Sequence, residues 1–148
     1  MSLWLEPAVF PVLLDSCVLY PYELRDLLLE VAHEHLYRVH WSPQILEDTV
    51  RNLLADARST PEKASRFCAA MERAFPEAMV EPPSGLADQL GCDPGDRHVL
   101  AAAIAAKAEL IVTLNASGMG LRFWCLNFGK RWMVAPTGMH RAGGGRWR

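Results

Sequence analysis

Apolar positions along this chain fall into two alternating kinds of run. PAVFPVLLDSCVL (7–19) is nearly continuous in apolar residues, as a strand buried on both faces of a parallel sheet requires. YELRDLLLEVAHEHL (22–36) switches to helical spacing, with Leu24, Leu27, Leu28, Val31 and Leu36 on one face. LYRVHW (36–41) predicts a second, short strand. Two helices follow, SPQILEDTVRNLLADA and PEKASRFCAAMERAF, each announced by a capping hydroxyl before a proline: Ser42–Pro43, then Ser59 or Thr60 with Pro61. EPPSG (81–85) reads as a loop and GLADQL as a short helical turn. An alanine-rich helix over 94–107 then leads into the strand ELIVTLN. At that helix start, Asp93 is the expected N-cap, Pro94 the first helical residue and Asp96 the acidic partner of a capping box. Strands alternating with helices predict an α/β fold around a parallel sheet, in which function gathers at the carboxyl ends of the strands.

Composition narrows the picture. The chain has 148 residues, 51% of them apolar, enough for one domain with a core that needs no staples. The four cysteines (Cys17, Cys68, Cys92 and Cys125) show neither a disulfide framework nor a zinc spacing, which points to a reducing cytoplasm. The apolar start lacks a basic n-region and is interrupted by Glu6, Pro7, Pro11 and Asp15, so neither a signal peptide nor a membrane span is expected. A net charge of −2 conceals an asymmetry: all 17 acidic residues lie within 1–109. Residues 116–148 hold six basic residues and no acid. Bulk attraction to nucleic acid does not suit the acidic body, so contact with RNA would need a local site where cations offset carboxylates.

The carboxylates themselves supply that site. Asp15 lies inside an apolar run, where an unpartnered charge is costly, and it stands far upstream of the helix from Tyr22 for a capping role. Glu47 and Asp48 flank a helix whose apolar face is Ile45, Leu46, Val50, Leu53 and Leu54, and one of them can point back to the sheet edge. Asp93 and Asp96 are the third contribution. Three separated segments thus deliver acids to one edge, an arrangement suited to Mg2+ or Mn2+, which take oxygen ligands and leave positions for phosphate.

At these residues the chain resembles the PIN domain family, and within it the bacterial VapC-like toxin branch. LLDSCVLYPYELRDLLLEVA, LYRVHWSPQILEDTVRNL, AFPEAMV and DPGDRHVLAAAIAAKAELIVTLN carry the resemblance, in order, over about residues 10–115. It implies a three-layer α/β/α sandwich with a central parallel sheet of about four strands. It also implies a divalent-metal endoribonuclease, partnered by a small antitoxin and commonly paired as a homodimer. Asp15 matches the first-strand metal ligand. The family's glutamate falls on Asp48, with the Glu47–Asp48 order reversed so that Glu47 is a substitute. Asp96 matches the third acid, Asp93 is an additional metal candidate, and Thr113 and Asn115 match positions after the last core strand. Asp15, Asp48 and Asp96 are therefore the expected catalytic set, with Arg97 as a phosphate contact. The implied reaction is hydrolysis of an RNA phosphodiester by metal-activated water, leaving 5′-phosphate and 3′-hydroxyl ends.

The resemblance stops after TLN. The family continues with an Asp-Phe pair, whereas here position 118 is glycine and 119 methionine. A domain over 1–115 and an atypical basic Gly/Arg/Trp-rich tail over 116–148 are the expected division. The tail reads either as the product of a frameshift or as a genuine segment whose Arg122, Lys130, Arg131 and aromatic Trp124, Trp132 and Trp147 touch RNA or a partner. Two functional readings follow: an active ribonuclease of toxin type, or a catalytically impaired module that binds an antitoxin or another partner. A nucleotide-binding α/β protein has no support, because no GxGxxG or P-loop is present. His33, His35 and His40 are expected to be structural, and so is His98 near the helix start, although its place beside Asp96 leaves assistance at the site as the alternative.

Overall fold

The computed structural model describes residues 9–114. Asn115 and the 116–148 tail therefore lie outside the described residues. The order of elements is β1 (Pro11–Leu14), α1 (Ser16–Leu19), α2 (Tyr22–His33), β2 (Arg38–His40), α3 (Pro43–Ala55), α4 (Pro61–Ala74), a short 3-10 turn (Ala87–Gln89), α5 (Arg97–Ala105) and β3 (Leu110–Val112). The three strands form one parallel sheet in the order β2-β1-β3. Trp41 adds a parallel bridge to Met79 beyond β2, a trace of the fourth strand that the family resemblance implies. All four β1 residues are buried. Successive strand residues face opposite ways, so both faces of the sheet are covered by other elements.

The strand order places β1 at the switch point, because the chain leaves it for β2 on one side and returns as β3 on the other. In open parallel sheets a crevice forms there, at the carboxyl ends of the strands. Asp15 is the residue that follows β1.

Local signals explain where most helices begin. Ser42 accepts a hydrogen bond from the Ile45 amide and Thr60 one from the Lys63 amide, each followed by proline in the first turn. Ile45, Leu46 and Thr49 form the buried stripe of α3, and the Thr49 hydroxyl is satisfied by the Ile45 carbonyl at 2.8 Å. Alanines at 101, 102 and 103 are buried in α5. Their small side chains let that helix lie close on β1, which it contacts. Trp41 is fully buried and meets Phe75 edge-on, with ring centres 5.9 Å apart.

The structure corrects three expectations. The apolar run 7–19 is not one strand: β1 ends at Leu14, and Ser16–Leu19 turn into a four-residue helix. Leu27 and Leu36, assigned to the apolar face of α2, are 60% and 63% exposed, and only Ala32 of that helix is buried. Finally, Asp93 and Asp96 do not form a capping box. The Asp96 amide donates to the Asp93 carbonyl at 2.9 Å, which closes a turn, and the helix begins only at Arg97.

Candidate active site

Asp15 is 6% exposed, at the carboxyl end of the central strand. It does act as a cap, though of α1 and not of the longer helix beyond. Its Oδ1 accepts from the Ser16 amide at 2.6 Å, and from the Ser16 hydroxyl at 3.3 Å. Oδ2 accepts from the Thr113 hydroxyl at 2.8 Å and faces the Cys17 thiol at 3.3 Å. Cys17 ties the same corner together: its sulfur lies 3.2 Å from the Thr113 hydroxyl and accepts from the Leu114 amide at 3.0 Å. Burial is the main influence raising the Cys17 thiol above its ordinary range, so at neutral pH it is a neutral packing group. Thr113 thus stands beside Asp15, and Cys17 is a neighbour that sequence reasoning missed.

Asp96 occupies the N-cap position of α5, but its side chain makes no capping hydrogen bond. Its pKa is raised, first by burial and then by the charges of Asp15 and Asp93, with His98 opposing. The turn therefore brings the Asp96 carboxylate under the influence of Asp15, while Asp93 beside it is exposed. Asp48 is the acid of α3 that turns inward. Its side chain is 13% exposed, it is ion-paired with Arg51, and His98 Nε2 lies 3.1 Å from its Oδ2. Glu47 is exposed and is not the inward-facing acid. Arg97 Nε donates to the Cys92 carbonyl at 3.3 Å, which braces the turn.

Carboxylate oxygens are hard donors suited to Mg2+ or Mn2+. The charge balance fits as well: the Arg51 ion pair and the His98 contact both go to Asp48, and among the described residues Asp15 and Asp96 have no ion pair, while the charge of Asp15 acts on Asp96. Among the described residues, however, no three acid, histidine or cysteine side chains are gathered tightly enough to form a ready-made metal cage. Such a set would suit a cation that takes one or two carboxylates and fills its other positions with water. The expected quartet of Asp15, Asp48, Asp93 and Asp96 is thus drawn together only in part.

The repulsion at Asp96 has a measurable consequence. A carboxyl whose folded pKa is raised contributes stability below its unfolded pKa of about 3.9, and loses it as pH rises through the folded value. At neutral pH the ionised Asp96 is therefore a net cost to the metal-free protein. Asp96→Asn is expected to raise Tm by roughly 1–3 °C in chelator at pH 7, a modest gain because solvent screens the group. The gain should disappear below pH 4, as differential scanning calorimetry at the two pH values would show.

The structure is thus a parallel α/β domain with acids near its switch point, Asp15 being buried there without an ion pair among the described residues. The chain belongs to the PIN domain family, whose profile matches residues 11–117. PIN domains are generally nucleases and typically use divalent metals. Neither the curated proteins nor the solved structures include a match to the chain.

Proposed function

We propose that the chain is an endoribonuclease of the VapC-like toxin kind, dependent on Mg2+ or Mn2+ and neutralised by a cognate antitoxin. The observation that carries this reading is Asp15, a carboxylate buried at the end of the central strand whose charge acts on Asp96, an acid with no ion pair among the described residues. Asp15 and Asp96 are the residues that would hold the cation, with Asp48 and Asp93 on the rim. Bound there, a divalent cation supplies acidified water and positive charge facing the scissile phosphate. The chain's own groups do the positioning. The Ser16 amide and Thr113 hydroxyl fix the Asp15 carboxylate in one orientation. Asp96 makes no capping hydrogen bond and is available for a ligand.

RNA as substrate and the toxin role draw on the resemblance of the DSCVL, SPQILED and DRHVLAAA segments to that branch. A cytoplasmic setting is supported by the free thiols Cys17, Cys68 and Cys92. Among the described residues no helix is long and apolar enough to cross a membrane. A second copy of the chain is the other partner this reading implies.

Product chemistry tests the proposal. End-labelled RNA cut by the purified chain should carry 5′-phosphate and 3′-hydroxyl termini, seen as ligation-competent ends. A 2′,3′-cyclic phosphate would mean attack by the ribose hydroxyl and contradict hydrolysis by water. The alternative, an impaired module that binds a partner, is favoured by two observations: the incomplete gathering of acids and the glycine at 118. Folded protein that binds Mn2+ but leaves RNA intact would select it.

A further inference from the structure

Asp48 and Asp96 belong to elements far apart in sequence, and one side chain links them. His98 sits in the first turn of α5, two residues beyond Asp96, and its Nε2 reaches to 3.1 Å from Asp48 Oδ2 on α3. The ring is largely buried, with its side chain 15% exposed. Nε2 makes no directed hydrogen bond among the described residues, so the contact is one of proximity. A buried nitrogen without a directed partner is unfavourable to folding, and an apolar residue would fill the space without that cost. Packing alone does not account for a histidine here.

The other partner of Asp48 cannot set its place relative to Asp96. Arg51 lies one turn along the same helix and its side chain is 65% exposed, and such pairs constrain little. It also moves with α3, whereas His98 moves with the turn that carries Asp96.

We infer that His98 is a positioning residue that registers the Asp48 carboxylate of α3 against the Asp96 turn of α5, so that Asp48 keeps its place at the rim of the cation site. This role rests on the proposed metal-dependent reading of the site. Groups that orient metal-ligating carboxylates from behind typically change metal affinity by about 10–100-fold when removed.

The test is Mn2+ titration followed by the rise in Tm, using the full chain as wild type, His98→Ala, His98→Gln, Asp48→Asn and the Asp48→Asn/His98→Ala double variant. The expected result is that His98→Ala weakens the apparent Mn2+ affinity by about tenfold or more, and that His98→Gln, which keeps a polar group directed at Asp48, recovers most of it. In the Asp48→Asn background the loss of His98 should change nothing further, since its effect passes through Asp48. A purely structural histidine would instead weaken binding equally in both backgrounds, which overturns the role. An unchanged or tighter Mn2+ response in His98→Ala overturns it too. Absence of any response in the wild-type chain removes the metal reading itself, and this role with it.

Discussion

Asp15→Asn is expected to abolish most RNA cleavage, by about 10²–10³-fold or more, while leaving the fold as stable as before. Both halves follow from one environment. The asparagine carbonyl can still accept from the Ser16 amide, which Asp15 meets at 2.6 Å. Its amide can donate to the Thr113 hydroxyl, which can act as acceptor as well as donor. The cap of α1 therefore survives. What disappears is a negative charge at the carboxyl end of the buried central strand, where the strand order places the switch point. Asp15→Ala should differ: it loses the cap as well, at about 0.5–2 kcal/mol. Cleavage assays beside urea denaturation of both variants separate the two effects. An Asp15→Asn protein that cleaves normally would remove Asp15 from the chemistry.

The second large effect concerns the core. Trp41→Ala should destabilise the protein by about 3–5 kcal/mol, the range for deleting a large buried aromatic. Trp41 is fully buried, edge-on to Phe75, and its backbone is bonded both ways to the neighbouring segment: its amide donates to the Ala78 carbonyl at 3.1 Å, and its carbonyl accepts from the Val80 amide at 2.9 Å. Domains of this size are stable by only about 5–15 kcal/mol, so a loss on that scale should lower Tm by roughly 10 °C or more. Trp41→Phe should cost far less. It keeps an aromatic against Phe75 and removes the indole N–H, which is buried without a hydrogen-bond partner among the described residues. If the alanine variant unfolds at nearly the wild-type urea concentration, the tryptophan is not part of the core.

What could be read in the sequence was local. Ser42–Pro43 and Thr60–Pro61 start helices through bonds within three residues, and both positions were legible. Asp93–Pro94 gives the same local signal, yet the chain closes a turn there and delays the helix to Arg97. Composition does not distinguish a cap from a turn when both use aspartate and proline. The short helix after Asp15 was hidden for a related reason: Cys17, Val18 and Leu19 are as apolar as a strand, and a helix of four residues has no period to detect. The choice between Glu47 and Asp48 depends on which side of α3 faces inward, and adjacent acids leave that open until burial is known. Cys17 carries no signal of its own and His98 only its place beside Asp96, because the partners that give them meaning, Thr113 and Asp48, are distant in sequence. Asp15 was legible because a charge in an apolar run needs a reason.

The most direct test of the account is cleavage of single-stranded RNA by the purified chain with Mn2+, with Mn2+ followed by excess EDTA, and with Asp15→Asn in place of the wild type. The account predicts cutting in the first case only. Cutting that persists in EDTA or in the variant would contradict it, since neither the cation nor the buried carboxylate would then be needed.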